Sequence, residues 1–161
     1  MVFGCRTIEN ETPHEAGRAL LAELYQQHTG KPLPEIGLTS RGKPYFLQDP
    51  LHFSISHTRR HAFVVLSTRP VGIDAEELDR QVSPKLAEKI LSPGEMEEYL
   101  AAEDQNRALL TFWVLKEARV KCTGEGLRGY PNHTNFSLAD PRVFEHCGCI
   151  AAIIEEDTHA L

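Results

Sequence analysis

The sequence predicts an α+β fold in which strands and helices follow each other in two successive halves. A strand at Val2–Ile8 precedes a helix and two strands, and a strand at Val71–Glu77 precedes further helices and strands. This repeated order indicates two similar α+β halves that pack together as a pseudo-dimer. We place the halves at about residues 1–68 and 69–161 of a single compact domain.

Composition limits the classes of function. The 161 residues are 41% hydrophobic, which suits one domain with a substantial core. The formal net charge of −6 argues against binding to nucleic acid, which needs a basic face. The longest apolar runs, Ala62–Leu66 and Ile150–Ile154, are too short to cross a bilayer, and no secretory signal pattern is present. We expect a cytoplasmic protein that binds neither nucleic acid nor membrane.

The first predicted helix has clear signals at both ends. It begins at Pro13, because proline is favoured in the first turn, and ends near His28, before Gly30. Arg18 lies in the middle of this helix. Taken alone, a single arginine there is most simply a solvated surface residue.

Gly and Pro residues then mark a loop that displays a basic side chain. Gly42 permits a turn, and Pro44 favours an extended backbone at the preceding residue, so Lys43 is predicted to stand on a stiff loop. An ordinary surface turn is the simpler alternative for this segment.

Two strands are predicted next, at His52–Ser56 and Ala62–Leu66. The connection between them carries His57 followed by two arginines. Because connecting loops often carry ligand-binding groups, His57 is a candidate binding residue. A solvated turn is the alternative interpretation.

The strand at Val71–Glu77 carries two carboxylates, Asp74 and Glu76, two positions apart. In an extended strand this spacing puts both on one face. At a separation of about 4 Å their repulsion is about 4 kcal/mol at an effective dielectric constant of 20. A partly buried pair therefore needs a proton or a cation, and a hard divalent ion fits oxygen ligands.

A long helix is predicted over about residues 107–122, where apolar residues recur at helical intervals without Gly or Pro. On it, Trp113, Glu117 and Lys121 are four residues apart and share one stripe. The alternative interpretation of Glu117 and Lys121 is an exposed ion pair that contributes about 0.3–0.5 kcal/mol.

Shorter elements surround this long helix. One helix is predicted to follow Ser83 and reach Ile90, and another begins at Ser92. Because Glu95 lies three residues after Ser92, a capping box is the structural explanation for that glutamate. Strands are predicted after the long helix, near Thr134–Leu138, Arg142–His146 and Cys149–Ile154.

The four cysteines are expected to be reduced thiols, because nothing in the sequence indicates secretion. His146, Cys147 and Cys149 form a short cluster. Structural zinc sites usually have four ligands with CxxC-like spacing, which this cluster lacks. The sequence therefore does not predict a zinc site there.

Four segments are specific as a set, although each is weak alone, because of their order and spacing. In chain order they are Gly42-Lys43-Pro44, Phe53-Ser54-Ile55-Ser56-His57, Val71-Gly72-Ile73-Asp74-Ala75-Glu76, and Trp113-Val114-Leu115-Lys116-Glu117-Ala118-Arg119-Val120-Lys121 followed by Gly124-Glu125-Gly126-Leu127. In these segments the chain resembles the 4′-phosphopantetheinyl transferases of the surfactin-synthetase-activating type. The resemblance covers about residues 13–138, and the first half is expected to be shorter than in larger relatives.

This resemblance implies a reaction and its partners. The 4′-phosphopantetheine group would pass from coenzyme A to a serine of an acyl or peptidyl carrier protein, releasing adenosine 3′,5′-bisphosphate. Coenzyme A and Mg²⁺ would lie between the two halves. Because all the matching segments lie in one chain, we expect a monomer. The alternatives are a coenzyme A-binding module without transferase activity and a metal-dependent phosphate-ester hydrolase.

The resemblance also implies residue roles. Asp74, Glu76 and Glu117 match metal-binding acids, and Lys121 matches a catalytic lysine that contacts the pyrophosphate. Glu117 is the first candidate for the base that deprotonates the serine, and Glu95 is the second. The positions that match coenzyme-binding residues are Arg18, Lys43, Pro44, Ser56, His57, Lys116 and Lys121.

Overall fold

The computed structural model describes residues 1–125 and 134–157. None of the helices within these ranges is long and apolar enough to span a membrane. The elements confirm the predicted α+β class. In chain order they are β1 (Val2–Thr7), α1 (Pro13–Thr29), β2 (Ile36–Leu38), β3 (Pro44–Phe46), β4 (His52–His57), β5 (His61–Ser67), β6 (Val71–Glu77), α2 (Lys85–Ile90), α3 (Pro93–Ala101), α4 (Gln105–Thr123), β7 (Val143–His146) and β8 (Cys149–Glu155).

The strands form two three-stranded antiparallel sheets and one hairpin. The first sheet has the order β1-β5-β4, the second has the order β6-β8-β7, and β2 pairs with β3. In both sheets the last strand in sequence lies in the middle, and the helices follow the first strand. This shared strand order favours the interpretation of two related halves.

Two local expectations differ from the structure, and a third is confirmed. The β2–β3 hairpin was not predicted, although Lys43 does lie in the turn before β3. Strand β4 continues to His57, so His57 belongs to the strand rather than to the loop after it. The predicted termination of α4 at Gly124 is confirmed by its left-handed φ of 73°. Gly126 and Leu127 lie outside the described residues.

The predicted strand at Thr134–Leu138 is wrong. In this segment the backbone N–H of Phe136 donates to Glu95 Oε2 at 2.8 Å, and that of Leu138 donates to Glu98 Oε2 at 2.9 Å. Carboxylates of α3 thus take the hydrogen bonds that a neighbouring strand would accept in a sheet. This explains why an extended segment here does not join a ladder.

A shared core joins the two sheets. Phe63 and Val65 of β5 pack with Ile73 and Ala75 of β6 and with residues of β8. On the outer faces, α1 packs against the first sheet and α4 against the second. Each sheet is therefore covered on one face by its helix and on the other by the opposite sheet.

Two serines of β4 also connect the sheets by hydrogen bonds. Ser54 Oγ accepts from the N–H of Ile73 at 3.1 Å, and Ser56 Oγ accepts from the N–H of Ala75 at 3.2 Å. Because Ser54 and Ser56 are two positions apart, both hydroxyls point to β6. These side chains supply acceptors for two buried N–H groups of β6.

Helix α4 lies very close to β6 at Gly72. A Cβ atom at this position would be 2.0 Å from the carbonyl oxygen of Ala118 and 2.4 Å from the backbone nitrogen of Cys122. Only a residue without a side chain allows this contact between backbones. The approach brings the face of α4 that carries Glu117 and Lys121 against β6.

Replacing Gly72 with alanine should therefore destabilise the fold by about 3 kcal/mol or more, because backbone atoms of α4 must move. Urea unfolding of the purified variant measures this. Gly4→Ala is the matched control in β1, where the added Cβ meets only side-chain atoms of Leu24 and Leu20, at 3.2 Å or more. We expect the control to change the free energy of unfolding by less than about 1 kcal/mol. Equal effects of the two changes would contradict the role assigned to Gly72.

Candidate active site

The face of β6 that meets α4 carries both predicted acids. Ile73 and Ala75 point into the core between the sheets, whereas Asp74 and Glu76 point the other way. Asp74 meets Lys121 of α4, and Glu76 meets Trp113 of the same helix. The expectation that the two acids share a face is confirmed.

Asp74 is a buried carboxylate with one unsatisfied oxygen. Its Oδ1 accepts from Lys121 Nζ at 2.9 Å and from Ser56 Oγ at 3.3 Å. Its Oδ2 is buried and has no hydrogen-bond partner among the described residues. Burial raises the pKa of Asp74, and the positive charge of Lys121 offsets part of this effect. A buried carboxylate oxygen without a donor is the feature expected of a cation ligand.

Glu117 lies beside Asp74 and is only partly buried. Burial raises its pKa to about 6, the negative charges of Asp74 and Glu76 add to this effect, and Lys121 opposes it. A carboxyl group with this pKa changes protonation close to neutral pH. It is therefore suited to exchange a proton or to bind a cation.

Glu76 is held in place by two donors that sequence reasoning did not assign to the site. Its Oε1 accepts from Trp113 Nε1 at 3.1 Å and from Arg80 Nη1 at 2.6 Å. Trp113 lies four residues before Glu117 on the same helical stripe, so its position was a usable signal. Arg80 lies in the turn after β6, and no spacing pattern in the sequence indicated its contact with Glu76.

The three acids fit a hard cation by their chemistry, although they do not form a closed cage. Asp74, Glu76 and Glu117 supply the carboxylate oxygens that Mg²⁺ prefers, and Asp74 Oδ2 lacks a donor. Asp74, Glu76 and Glu117 are not a group whose ligand atoms all lie within 4.8 Å of one another. Among the described residues, that close spacing is found for His61, Glu77 and Cys149.

One cleft has a volume of about 230 Å³, and candidate coenzyme-binding residues line it. Lys43 and Pro44 line it from the β2–β3 hairpin, and Lys121 lines it from α4. Lys43 Nζ donates to the carbonyl oxygen of Cys122 at 2.6 Å, and burial lowers the pKa of Lys43. The hairpin therefore lies against the C-terminal end of α4.

A second cleft, of about 730 Å³, includes Glu76 in its lining. His57 and Arg59 line it from the end of β4 and the turn that follows, and Glu76 and Arg80 line it from the second half. Basic groups and one acid of the cluster thus share this opening. The candidate site thus shares Lys121 with the smaller cleft and Glu76 with the larger one, and both clefts are lined by cationic side chains.

Ser56 and Arg18 are not among the residues that line these two clefts. Ser56 is 4% exposed, and its hydroxyl is engaged by Asp74 and by the N–H of Ala75. It therefore orients Asp74. Arg18 is partly exposed on α1, where the adjacent Gly17 packs against Ile55 of β4.

Glu95 and Lys116, for which the resemblance implied roles in catalysis and coenzyme binding, form a buried ion pair with each other. Glu95 is 0% exposed, and its Oε1 accepts from Lys116 Nζ at 2.7 Å. Oε1 also accepts from the N–H of Ser92, and Oε2 accepts from the N–H of Phe136, both at 2.8 Å. Lys116 Nζ also donates to the carbonyl oxygen of Thr134 at 2.9 Å. The pair anchors the segment after α4 to α3, and Glu95 has no free lone pair facing solvent for a catalytic proton.

Lys116→Met should destabilise the protein by about 3–5 kcal/mol, because it leaves the carboxylate of Glu95 buried without its cation. The free energy of unfolding in urea tests this. Lys89→Met, at an exposed position of α2, is the control and should change stability by less than about 0.5 kcal/mol. A stable Lys116→Met protein would show that the pair is not structural.

The raised pKa of Glu117 predicts that the metal-free protein loses stability as the pH rises. Between the ordinary value of 4.5 and about 6, the folded state keeps a proton that the unfolded state has released. The contribution of Glu117 is therefore complete below pH 4.5 and is lost as the pH rises through about 6. Glu117→Gln should make the melting temperature in chelator less dependent on pH over this range.

Glu97→Gln, an exposed change on α3, is the control for this measurement. It should reproduce the pH dependence of the unchanged protein. Parallel melting-temperature curves for all three proteins would contradict the assignment to Glu117.

Comparisons with known proteins agree with this site. Residues 70–148, which include β6 and α4, match the family model of the 4′-phosphopantetheinyl transferase superfamily. The chain is 32% identical over 123 residues to the 4′-phosphopantetheinyl transferase psf-1 of Bacillus pumilus, covering 70% of this chain and 52% of that protein.

Two further relatives show the same level of similarity. The 4′-phosphopantetheinyl transferase HetI of Nostoc is 32% identical over 74% of this chain and 54% of its own length. The 4′-phosphopantetheinyl transferase AcpT of Escherichia coli K12 is 38% identical over 68% of this chain and 56% of its own length. The chain spans about half the length of the curated relatives it matches. The protein belongs to the 4′-phosphopantetheinyl transferase superfamily.

Proposed function

We propose that this protein transfers the 4′-phosphopantetheine group from coenzyme A to a serine hydroxyl of an acyl or peptidyl carrier protein. The reaction depends on Mg²⁺ and releases adenosine 3′,5′-bisphosphate. The observation that carries this proposal is the buried Oδ2 of Asp74 without a hydrogen-bond partner among the described residues. On the same carboxylate, Lys121 occupies the other oxygen, and Glu117 lies beside it.

The two clefts provide positive groups for the phosphates of coenzyme A. Lys43 and Lys121 line the smaller cleft, where Pro44 supplies an apolar wall. His57 lines the larger cleft. Several cationic side chains near the reacting centre would fix the position of a nucleotide with several phosphates. Arg18, on the helix that packs against β4, is the further candidate in the first half.

Asp74, Glu76 and Glu117 are the residues that would hold Mg²⁺, and the bound ion neutralises negative charge on the pyrophosphate oxygens. Ser56 fixes the orientation of the Asp74 carboxylate by its hydroxyl contact. Trp113 and Arg80 do the same for Glu76. The acids are thus held in position before substrate binds, which is a source of catalytic advantage.

Lys121 and Glu117 act on the reacting groups. The ammonium of Lys121, 30% exposed, is available to the phosphate that leaves and stabilises its growing negative charge. Glu117 accepts the proton of the attacking serine, directly or through a water molecule. A base with a pKa of about 6 is ionised at neutral pH and still accepts a proton effectively.

Incubation of the protein with coenzyme A, Mg²⁺ and an apo carrier protein tests the proposal. We expect the carrier to gain about 340 Da, the mass of the added group, only when Mg²⁺ is present. Release of adenosine bisphosphate in the absence of carrier would identify a hydrolase instead. Binding of coenzyme A without either product would identify a binding module.

Single substitutions separate the roles in the same assay. Glu117→Gln should lower the rate of transfer by about 100-fold or more, because it removes both a metal ligand and the proposed base. Asp74→Ala should abolish Mg²⁺-dependent transfer. The matched control, Glu97→Gln, should retain the full rate, because Glu97 is exposed on α3. Normal turnover of the Asp74→Ala protein with Mg²⁺ would refute the ligand role.

A further inference from the structure

We propose that His61, Glu77 and Cys149 form a second metal site, suited to Zn²⁺, at the junction of the two sheets. His61 is the first residue of β5, Glu77 is the last of β6, and Cys149 is the first of β8. Their potential ligand atoms all lie within 4.8 Å of one another. Glu77 points to the opposite face of β6 from Asp74 and Glu76, so this group is separate from the candidate active site.

The spacing of the three groups matches a tetrahedral zinc centre. Ordinary zinc bonds of about 2.3 Å to sulfur and about 2.1 Å to nitrogen or oxygen put tetrahedral ligand atoms about 3.4–3.6 Å apart. In the structure, Cys149 Sγ is 3.6 Å from His61 Nδ1 and 3.5 Å from Glu77 Oε2. His61 Nδ1 is 3.0 Å from Glu77 Oε1. Adjustments of a few tenths of an ångström complete three coordination positions.

The donor types select the metal. One thiolate, one imidazole and one carboxylate are ligands for Zn²⁺, whereas Mg²⁺ prefers oxygen donors only. Cys149 is fully buried, and the His61 side chain is 16% exposed, so solvent reaches the group from the side of the histidine. A water molecule at the fourth position completes a site of the open type. On binding, the thiol proton of Cys149 is released to solvent and the metal takes its place.

The surroundings of Glu77 contain one group that favours the metal and one that competes with it. Thr58 Oγ1 donates to Glu77 Oε1 at 2.5 Å and orients the carboxylate, as outer-shell partners of metal ligands do. Arg60 Nη2 contacts Glu77 Oε2 at 3.2 Å and Asp79 Oδ2 at 2.7 Å. Because the Arg60 side chain is 46% exposed, it can leave Glu77 and keep its contact with Asp79. The metal would then supply the positive charge that Arg60 gives to Glu77.

Such a metal would join the two sheets at one end of their interface. His61 belongs to the first sheet, and Glu77 and Cys149 belong to the second. Ligands from both sheets would fix the relative position of β5 and β6, next to the point where Ser56 contacts β6. We therefore expect bound zinc to raise the melting temperature of the whole protein.

Titration of the full-length, metal-free, reduced protein with Co²⁺ and Zn²⁺ tests this site, with excess Mg²⁺ present to occupy oxygen ligands. We expect one equivalent of Co²⁺ to produce a thiolate-to-cobalt charge-transfer band, and Zn²⁺ to displace it. One equivalent of Zn²⁺ should also raise the melting temperature. Absence of a stoichiometric band and of any rise in melting temperature overturns the proposal.

Matched variants assign the ligands. Cys149→Ser should abolish the charge-transfer band, and His61→Gln should weaken cobalt binding at least about tenfold, because each removes one ligand. Cys122→Ala, a buried thiol outside the group, and Cys147→Ser, an exposed thiol, should both keep the band. Retention of the band in Cys149→Ser, or its loss in Cys147→Ser with Cys149 intact, contradicts the assignment.

A variant that leaves all ligands in place gives a check that does not depend on removing a buried side chain. Arg60→Gln removes the competing charge from Glu77 and should tighten zinc binding about threefold or more. Arg69→Gln, at the other end of the sheet where Arg69 pairs with Glu155, is the charge-matched control and should leave the affinity unchanged. Equal affinities for Arg60→Gln and the unchanged protein exclude Glu77 as a ligand. These readouts do not involve transfer, so they stand apart from the test of the proposed function.

Discussion

The contact between the backbones of α4 and β6 at Gly72 is the constraint on which the site depends. Because a Cβ there would lie 2.0 Å from the carbonyl oxygen of Ala118, no other residue permits the same depth of packing. Two residues further along β6 stands Asp74, and on the adjoining turn of α4 stand Glu117 and Lys121. If the helix lay a further ångström or two from the strand, Lys121 Nζ would lose its 2.9 Å contact with Asp74. Asp74 and Lys121 come from distant parts of the chain, and they meet because Gly72 has no side chain to hold α4 away from β6.

Two lysines of α4 show how differently a positive charge is used on one helix. Lys116 closes a buried ion pair in which every acceptor of Glu95 is filled by backbone donors or by the ammonium group. Lys121 neutralises only one oxygen of Asp74, and the other is left without a donor among the described residues. The complete pair fixes structure. The incomplete pair leaves a buried oxygen that can bind a cation, and burial, followed by the negative charge of Asp74, raises the pKa of the neighbouring Glu117.

The interface between the two sheets combines a hydrophobic centre with a row of polar contacts between β4 and β6. Phe63, Ile73 and their neighbours exclude water from the middle. Beside this centre, Ser54 and Ser56 accept from the backbone of β6, and Ser56 in addition donates to Asp74, so the packing of the two sheets also positions a site residue. Two residues further along the same strands, Glu77 gathers Thr58, His61 and Cys149. A change that loosens the interface should therefore also affect the acids of the site.

The sequence by itself determined the elements with strong local signals and the composition of the acid cluster. Period-two spacing placed Asp74 and Glu76 on one face, and period-four spacing aligned Trp113, Glu117 and Lys121. The capping box at Ser92 was also predictable, because it is a local pattern. The tertiary structure alone decided which of several plausible side chains meet. It showed that Glu95 and Lys116 form a buried ion pair with each other. It also showed that carboxylates of α3 accept hydrogen bonds from the backbone N–H groups of residues 136 and 138. Finally, His61, Glu77 and Cys149 converge from three strands. Contacts between residues far apart in the chain depend on packing distances such as that at Gly72, which no local pattern specifies.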